Sequence, residues 1–305
     1  MRSPQFWQIT LILTIGVFSF SSTAIFIRLA LDASGKLGLE FSLFLAASRL
    51  MIASFVLLPA WQTVVKHKAN VKAYYYAIGA GFSLAFHFVF WITSLSFTSI
   101  AASTTLVTTN PIWVSILSWV WFKEKLKKLT ILGIIVALLG GILIALGGND
   151  VNNSYSQPML GNLLALMGAW FVSLYLIFGK ISQQEGLKIS SYSVIVYTTA
   201  AILLFPLPFL FGSGYTNYPH SVYVYVVLMA IFSQLIGHTS LNWSVRWVSP
   251  TLVTLAILFE PIGSSFLGFI IFQEIPSMLV LIGAIIILIG VIIAVLSSQN
   301  KDKSV

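Results

Sequence analysis

The 305-residue chain has no cysteine, and only 8% of its residues are charged, whereas a soluble domain carries about a quarter. The lack of cysteine excludes disulfide bonds, thiolate metal sites and cysteine nucleophiles. The sequence also lacks the H-E-x-x-H pattern of zinc enzymes and the G-x-x-x-x-G-K-[ST] pattern of ATP-driven pumps. Together with 58% hydrophobic residues, these absences indicate a membrane protein for which we expect no metal and no cofactor.

Long apolar runs follow one another along the whole chain. A membrane-spanning helix needs about 20 mostly apolar residues, and ten runs approach that length: Ile9 to Leu31, Phe41 to Val65, Ala73 to Leu95, Ala101 to Phe122, Leu129 to Leu146, Met159 to Ile181, Ser191 to Phe211, Val222 to Asn242, Pro250 to Phe272 and Met278 to Leu296. The first run is too long for a secretory signal and lacks an A-x-A cleavage site, so we expect it to be retained. The runs predict an all-α integral membrane protein with ten transmembrane helices.

The net charge of +8 has a topological explanation. Thirteen of the 16 Lys and Arg residues fall in alternate loops or in the terminal segments, whereas nucleic-acid binding would gather them on one folded face. Cytoplasmic segments of membrane proteins carry an excess of Lys and Arg, which places both termini in the cytoplasm. We therefore expect a multi-pass protein of the cell inner (plasma) membrane, surrounded by the lipid bilayer and without a nucleic-acid partner.

The sequence contains a five-helix repeat. An offset of 150 residues aligns Asn110-Pro111 with Glu260-Pro261, and it also aligns Glu124/Glu274, Gly133/Gly283 and Gly140/Gly290. An offset of 152 aligns Gly16/Gly168 and Ser21/Ser173. Because five is an odd number, the second copy must enter the membrane from the opposite side. This pattern predicts two inverted five-helix repeats, residues 1–148 and 159–305, joined by an outer linker at 149–158.

The residues around the two prolines resemble a known family. Small polar residues, then Asn110-Pro111 or Glu260-Pro261, then an apolar run closed by Glu124 or Glu274 and a Gly-rich helix, are similar to the EamA-like branch of the drug/metabolite transporter superfamily. The resemblance implies a ten-helix secondary active transporter, often an exporter, that carries small metabolites such as amino acids by alternating access. It does not identify the substrate, and it does not decide whether the protein forms a homodimer.

Glu260 is an acidic residue in a run that is otherwise almost all hydrocarbon. An ionised side chain at mid-bilayer costs about 2.5–3.5 kcal/mol, so Glu260 must face a cavity, find a partner or stay protonated. We interpret it as a substrate-binding residue that also binds a proton through part of the cycle, with Asn110 as its neutral counterpart. The alternative is a protonated Glu260 that hydrogen-bonds a neighbouring helix and compensates for carbonyl groups freed by Pro261.

Two predicted helices carry polar residues at a spacing of four, which places them on one helix face. The eighth run has Gln234, His238 and Asn242, and the third has His87 and Trp91. We expect both faces to point away from lipid. Each histidine has two interpretations, a packing residue that joins two helices through one hydrogen bond or a proton-coupling residue.

Arg49 lies well inside the second run, too deep for its side chain to reach the membrane surface easily. It therefore needs an anion, and Glu260, a substrate carboxylate and a lipid phosphate are three alternatives. Trp91, Trp170 and Tyr175 lie deep in the third and sixth runs, where an aromatic ring stacks on a substrate or packs in the core. We take all four residues as candidates for substrate binding.

Other polar and small residues have bland interpretations. Arg28 is expected to anchor its helix at the membrane interface, and Glu274 is expected to be a turn residue. A stripe of small residues at a spacing of four on the fifth helix predicts close helix packing, through Gly133, Ala137, Gly141 and Ala145.

Two other function classes remain as alternatives, although we expect no enzyme. An intramembrane hydrolase needs a nucleophile, a base and a group that orients the base, but Ser83 and His87 form the only nearby serine and histidine pair and no acid follows them. A membrane channel is harder to exclude, because channels also contain inverted repeats. Saturable exchange with trans-stimulation distinguishes a carrier from a channel.

Overall fold

The computed structural model describes residues 4–66, 69–122, 127–147, 155–244, 247 and 256–299. All regular secondary structure in these residues is helical. Seven helices are long and apolar enough to cross a membrane: Trp7–Ser34, Leu39–Val56, Val71–Ser94, Ile100–Leu117, Pro158–Gln184, Ile189–Leu210 and His220–Ser244. Three apolar helices are shorter: Lys128–Ile144, Glu260–Phe272 and Met278–Ala294. The chain is therefore a multi-pass, all-helical membrane protein, with seven spans identified by length and composition.

The helices are numbered in chain order: α1 Phe6–Ser34, α2 Leu39–Val56, α3 Trp61–Lys66, α4 Val71–Ser94, α5 Ile100–Val107, α6 Asn110–Phe122, α7 Lys128–Gly147, α8 Pro158–Gln184, α9 Ile189–Leu204, α10 Leu207–Leu210, α11 His220–Leu228, α12 Thr239–Ser244, α13 Glu260–Phe272 and α14 Met278–Gln299. They follow the predicted runs, apart from breaks at residues 57–60 of the second run and 205–206 of the seventh and the interruptions described next. Residues 250–255 of the ninth run, Glu124 and most of the linker lie outside the described residues.

Two of the predicted runs contain a break at the position of the aligned prolines. α5 ends at Val107 and α6 begins at Asn110, while in the second half α13 begins at Glu260. In each case proline is the second residue of the new helix, where its missing N–H group would have no intrahelical partner in any case. Asn110 and Glu260 therefore each begin a half-helix in the middle of a predicted span.

The eighth run forms one continuous helical rod, and the central part of this rod is π-helical. α11 continues into α12 through a π-helical segment, Met229–His238. A π-helix is wound more loosely than an α-helix and occurs frequently at functional sites. Gln234, His238 and Asn242 are all buried, so the polar residues of this rod point inward even though its winding is not the regular one that the spacing of four assumes.

α7 and α14 pack through the backbones of glycine residues. A Cβ atom on Gly133 would lie 2.5 Å from the carbonyl oxygen of Gly290, and one on Gly140 would lie 2.6 Å from that of Gly283. Of the predicted stripe, Gly133 and Ala137 lie at this contact, since a Cβ atom on Gly290 would lie 2.6 Å from the Ala137 nitrogen. The prediction is wrong for Gly141, where a Cβ atom would have its nearest neighbour 4.0 Å away. Two turns of an α-helix span about seven residues, so Gly133 and Gly140 share one face. Gly141, eight residues after Gly133, lies away from that face.

Two further glycines mark close crossings between the halves of the chain. A Cβ atom on Gly168 of α8 would lie 3.6 Å from the carbonyl oxygen of His87 in α4, and one on Gly16 of α1 would lie 3.6 Å from that of Gly237 in the π-helical segment. Gly16 aligns with Gly168 at the offset of 152, and His87 aligns with Gly237 at the offset of 150. The first helix of each half therefore crosses the third helix of the other half at an equivalent place.

Candidate functional site

A cavity lies where α4, α8 and the rod from α11 to α12 meet the breaks before α6 and α13. Its free volume is about 60 Å³, which accommodates a few water molecules and is far smaller than an ordinary ligand pocket. Seven of the nine predicted site residues line it: His87, Trp91, Asn110, Tyr175, His238, Asn242 and Glu260. The structure thus brings residues from both halves of the chain to one contracted cavity.

α4 contributes His87 and Trp91, one turn apart. Their rings stack with centroids 5.8 Å apart and an interplanar angle of 14°. The Nδ1 atom of His87 lies 2.9 Å from the carbonyl oxygen of Gly168, and because a carbonyl only accepts, Nδ1 carries the donated proton. This hydrogen bond joins α4 to α8, as the packing interpretation of His87 predicts. The His87 ring also lines the cavity. The indole Nε1 of Trp91 is buried without a hydrogen-bond partner among the described residues.

Aromatic rings surround His238 on the opposite wall. Its ring centroid lies 4.8 Å from that of Phe20, 5.7 Å from that of Phe88 and 6.0 Å from that of Tyr175. Asn242 Nδ2 donates to the Tyr175 hydroxyl at 3.1 Å, which fixes both side chains. Phe20 and Phe88 are lining residues that the sequence did not predict, because a phenylalanine in an apolar helix carries no signal of its own.

Asn110 and Glu260 reach the cavity from the starts of their half-helices. Ser173 Oγ donates to the carbonyl oxygen of Asn110 at 3.1 Å, and Ser21 Oγ donates to that of Glu260 at 3.4 Å. Ser21 and Ser173 align at the offset of 152, and each donates to the carbonyl oxygen of the first residue of a half-helix. The first helix of each half holds the broken helix of the other half.

The side chains of Asn110 and Glu260 are both short of partners. Glu260 is 6% exposed, and among the described residues its carboxyl group has neither a hydrogen bond nor an ion pair. Asn110 Oδ1 is likewise buried without a partner there. The hydrogen bond from Glu260 to a neighbouring helix, which was the structural alternative for this residue, is not formed within the part of the chain that the structure describes.

Arg49 is completely buried behind the cavity wall. Its guanidinium carbon lies 4.0 Å from the ring centroid of Phe88, and Nη2 donates to Ser233 Oγ and, at 3.2 Å, to Gln234 Oε1. Its Nε and Nη1 atoms have no partner among the described residues. These partners are neutral, so none of the three anions expected for Arg49 is seen in the described structure. Phe88 also lines the cavity, whereas Arg49 is not among the lining residues.

Trp170 is not among the residues that line the cavity. Its side chain is 39% exposed, and its ring meets that of Phe171 at 5.1 Å and 80°. It therefore lies on the outer face of α8. No group of three or more His, Asp or Glu residues that could hold a metal ion occurs among the residues described.

A polar cluster joins several elements on the side of the protein that the predicted topology places outside. Arg28 Nη1 donates to the Tyr155 hydroxyl at 2.7 Å, and this hydroxyl donates to Glu274 Oε2 at 3.1 Å. Glu274 Oε1 accepts from the backbone N–H of Ile100 at 2.7 Å, and Arg28 Nη2 donates to the carbonyl oxygen of Thr98 at 2.9 Å. Arg28 and Glu274, expected to be an interfacial anchor and a turn residue, instead connect both halves of the chain.

Tyr155 keeps its proton in this cluster. Burial raises the pKa of its hydroxyl to about 12, because the charged phenolate would lose its hydration. The hydroxyl therefore stays neutral near pH 7, so it both accepts from Arg28 and donates to Glu274. Arg28 and Glu274 also form a longer ion pair of 3.9 Å.

Comparisons with known proteins agree with this architecture. The model of the EamA-like transporter family matches two segments of the chain, residues 7–146 and 159–296. The uncharacterized transporter YdfC of Bacillus subtilis (strain 168) is 27% identical over 210 residues, 67% of this chain and 65% of that protein. An uncharacterized transporter of Archaeoglobus fulgidus is 21% identical over 285 residues, 92% of this chain and 95% of that protein.

A solved crystal structure has the same fold. It superposes with a TM-score of 0.63 and covers 97% of this chain and 99% of its own, at 18% sequence identity. Identity this low relates the two folds and nothing more. The family match extends over almost the whole length of the chain, beyond the residues that first suggested it, and the chain belongs to the EamA-like transporter family of membrane proteins.

Proposed function

We propose that the protein is a secondary active transporter that exports small metabolites, amino acids among the candidates, across the plasma membrane by alternating access. The observation that carries this proposal is the cavity that Asn110 and Glu260, aligned at the offset of 150, both line. Asn110 Oδ1 has no partner among the described residues, and the Glu260 carboxyl group makes no hydrogen bond or ion pair with them. Two equivalent halves that rock about a central site are the usual design of secondary transporters. The contracted cavity then belongs to one stage of a cycle, and a solute enters when one end opens.

The inverted repeat is the structural basis of the proposed cycle. It is supported by the reciprocal contacts of α7 and α14, in which Gly133 faces Gly290 and Gly140 faces Gly283. At the offset of 150, Gly133 aligns with Gly283 and Gly140 aligns with Gly290. Gly133 therefore contacts the counterpart of Gly140, and Gly140 contacts the counterpart of Gly133, as a twofold relation between the halves requires. The two separate family matches, 7–146 and 159–296, support the same division of the chain.

The proposed topology has both termini in the cytoplasm and the linker 149–158 outside. A cysteine introduced at Asn152 of this cysteine-free chain should react with a membrane-impermeant maleimide added to intact cells. A cysteine introduced at Lys301 should react only after the membrane is permeabilised. Reaction of the Asn152 cysteine from the cytoplasmic side alone would contradict the inverted arrangement.

Transport is tested with purified protein in liposomes. A labelled solute should move without ATP, should saturate, and should move faster when unlabelled solute is present on the opposite side. A strict requirement for ATP would contradict a secondary transporter. Flux that lacks trans-stimulation and exceeds the rate of a conformational cycle would favour the alternative, a channel.

The cluster of Arg28, Tyr155 and Glu274 is the proposed closure of the outer end. Glu274→Gln removes the charge that meets Arg28 and weakens the acceptor of Tyr155 and Ile100, so the outer end should open more often. With Val107→Cys as a reporter in the cavity wall, the rate of labelling by an impermeant maleimide from outside should rise severalfold. The exposed acid Glu40 supplies the matched control Glu40→Gln, and equal labelling rates in the two variants would refute the closure.

A further inference from the structure

We propose, building on the transport function above, that the cavity recognises the ammonium group of a small amphipathic amine. The ammonium group binds Glu260 and Asn110, and the apolar part of the amine lies among the aromatic rings. This inference rests on which polar atoms of the cavity lack partners, on the chemistry of its walls, and on the fixed charges that the walls contain.

The unpaired acceptors favour a cationic donor. Asn110 Oδ1 is buried at the cavity without a partner among the described residues, and an acceptor buried without a hydrogen bond is unfavourable. The Glu260 carboxyl group lines the same cavity and makes no hydrogen bond or ion pair with a described residue. An ammonium group has three N–H donors and no acceptor. It can therefore satisfy the carboxylate and the amide oxygen together and neutralise the carboxylate charge, which a hydroxyl group cannot do.

The rest of the wall suits the body of such an amine. The rings of Phe20, Phe88 and Trp91 line the cavity beside apolar side chains such as Leu176 and Ile257. The face of an aromatic ring attracts a cation, most strongly where water is excluded, and the same rings bury an aliphatic or aromatic chain. A solute with one cationic end and one apolar end matches this division.

The cavity has no fixed cation to balance a carboxylate. No Lys or Arg is among its lining residues in the part of the chain described, and the nearby guanidinium group of Arg49 packs on the ring of Phe88 and donates to Ser233 and Gln234. Trp91 Nε1 and His238 Nε2 are unpaired there, but in a neutral tryptophan and histidine they can hydrogen-bond a carbonyl or hydroxyl without balancing a negative charge. An amino acid would leave its carboxylate unneutralised, so the amine that lacks it should bind more tightly.

Binding of the amine displaces a proton from Glu260 in this proposal. The Glu260 carboxyl releases one proton when the ammonium group arrives and takes up one proton when it leaves, so the cavity carries the same net charge in both states. His87, His238 and Tyr175 are the other titratable groups at the cavity, and Arg49 is the charged group whose field acts on His87 and His238. Exchange of one monocation for one proton makes the site suitable for an amine–proton exchanger.

The test compares solutes that differ only in the carboxylate. Purified protein is titrated with 2-phenylethylamine and phenylalanine, tryptamine and tryptophan, and 3-methylbutylamine and leucine. Binding is followed by isothermal titration calorimetry and by Tm. At least one amine should bind with an affinity at least about tenfold higher than its amino acid. Equal or tighter binding of the amino acids, or no binding of any amine, would overturn the inference, and neither outcome requires a variant.

Two variants locate the amine. Glu260→Gln should weaken amine binding by at least about tenfold, whereas Glu40→Gln, at an exposed acid away from the cavity, should leave it unchanged. Unchanged binding in Glu260→Gln would place the amine elsewhere. Liposome counterflow separates the two proposals: an amine that binds but is never carried contradicts the transporter and leaves the inference standing, while saturable exchange of amino acids without amine binding does the reverse.

Discussion

Replacement of Gly133 by alanine is expected to lower the Tm of the purified protein by several degrees. The added Cβ atom would lie 2.5 Å from the Gly290 carbonyl oxygen and 2.6 Å from the backbone nitrogen of Ala294. Both contacts are with backbone atoms, so α7 and α14 must move apart along their shared face. Overpacking of this kind costs about 1–3 kcal/mol, and in a protein of this size each kcal/mol lowers the Tm by about 2–4 °C.

Gly141→Ala is the matched control, in the same helix and with the same added atom. Its Cβ atom would meet its nearest neighbour at 4.0 Å, an ordinary contact distance, and alanine favours a helix over glycine. We expect the Tm to stay unchanged or to rise slightly. The proposed repeat adds a second requirement, that Gly283→Ala destabilises about as much as Gly133→Ala. Equal effects of Gly133→Ala and Gly141→Ala would show that α7 and α14 do not pack through these glycines.

The helices were predictable because a helix that spans the hydrocarbon of a bilayer needs about 20 mostly apolar residues, and such runs are easy to recognise in a sequence. Long apolar runs and the placement of Lys and Arg gave the helix positions. The aligned prolines marked the two places where a helix restarts, at Asn110 and at Glu260. The π-helical segment Met229–His238 was not predictable, because a change in hydrogen-bond register leaves composition and hydropathy as they are.

The helix to which a residue belongs was easier to predict than the direction of its side chain. Trp170 and Tyr175 lie in the same helix, yet Tyr175 lines the cavity and Trp170 is on the outer face. Five residues of an α-helix turn through about 140° beyond one full turn, so if one of these rings points inward the other points away. That geometry was available from the sequence, and it could have removed Trp170 from the candidate site.

The surroundings of Arg49 and Glu260 could not be predicted, because a single sequence does not show which residues of other helices lie beside them. The charge of Arg49 suggested an anion, but its guanidinium group packs on Phe88 and donates to Ser233 and Gln234. Ser233 and Phe88 are ordinary residues of their helices, and only the fold brings them to Arg49. In the same way, the sequence suggested a cavity for Glu260 but gave no reason to include Phe20 or Phe88 in its wall.

Glu260→Gln is expected to abolish solute accumulation driven by a pH gradient while exchange of solute for solute continues. The amide keeps the volume of the carboxyl group and offers an acceptor to the cavity, so the protein should fold and its Tm should change little. The amide cannot take up or release a proton. A cycle that couples the solute to a proton at this position therefore loses its driving force, although the conformational change itself remains available at a reduced affinity for the solute.

The measurement uses liposomes that contain wild-type protein, Glu260→Gln or Glu40→Gln, with the same internal and external solute and with or without an imposed pH difference. Wild type and Glu40→Gln should accumulate solute only when the pH difference is present, and Glu260→Gln should equilibrate it in both conditions. Asn110→Ala should reduce the rate without removing the pH dependence, because it removes a hydrogen-bond acceptor and no titratable group. If Glu260→Gln still accumulates solute against its gradient, the proton is carried by another group, and His87 and His238, which share the cavity with Glu260, become the residues to test.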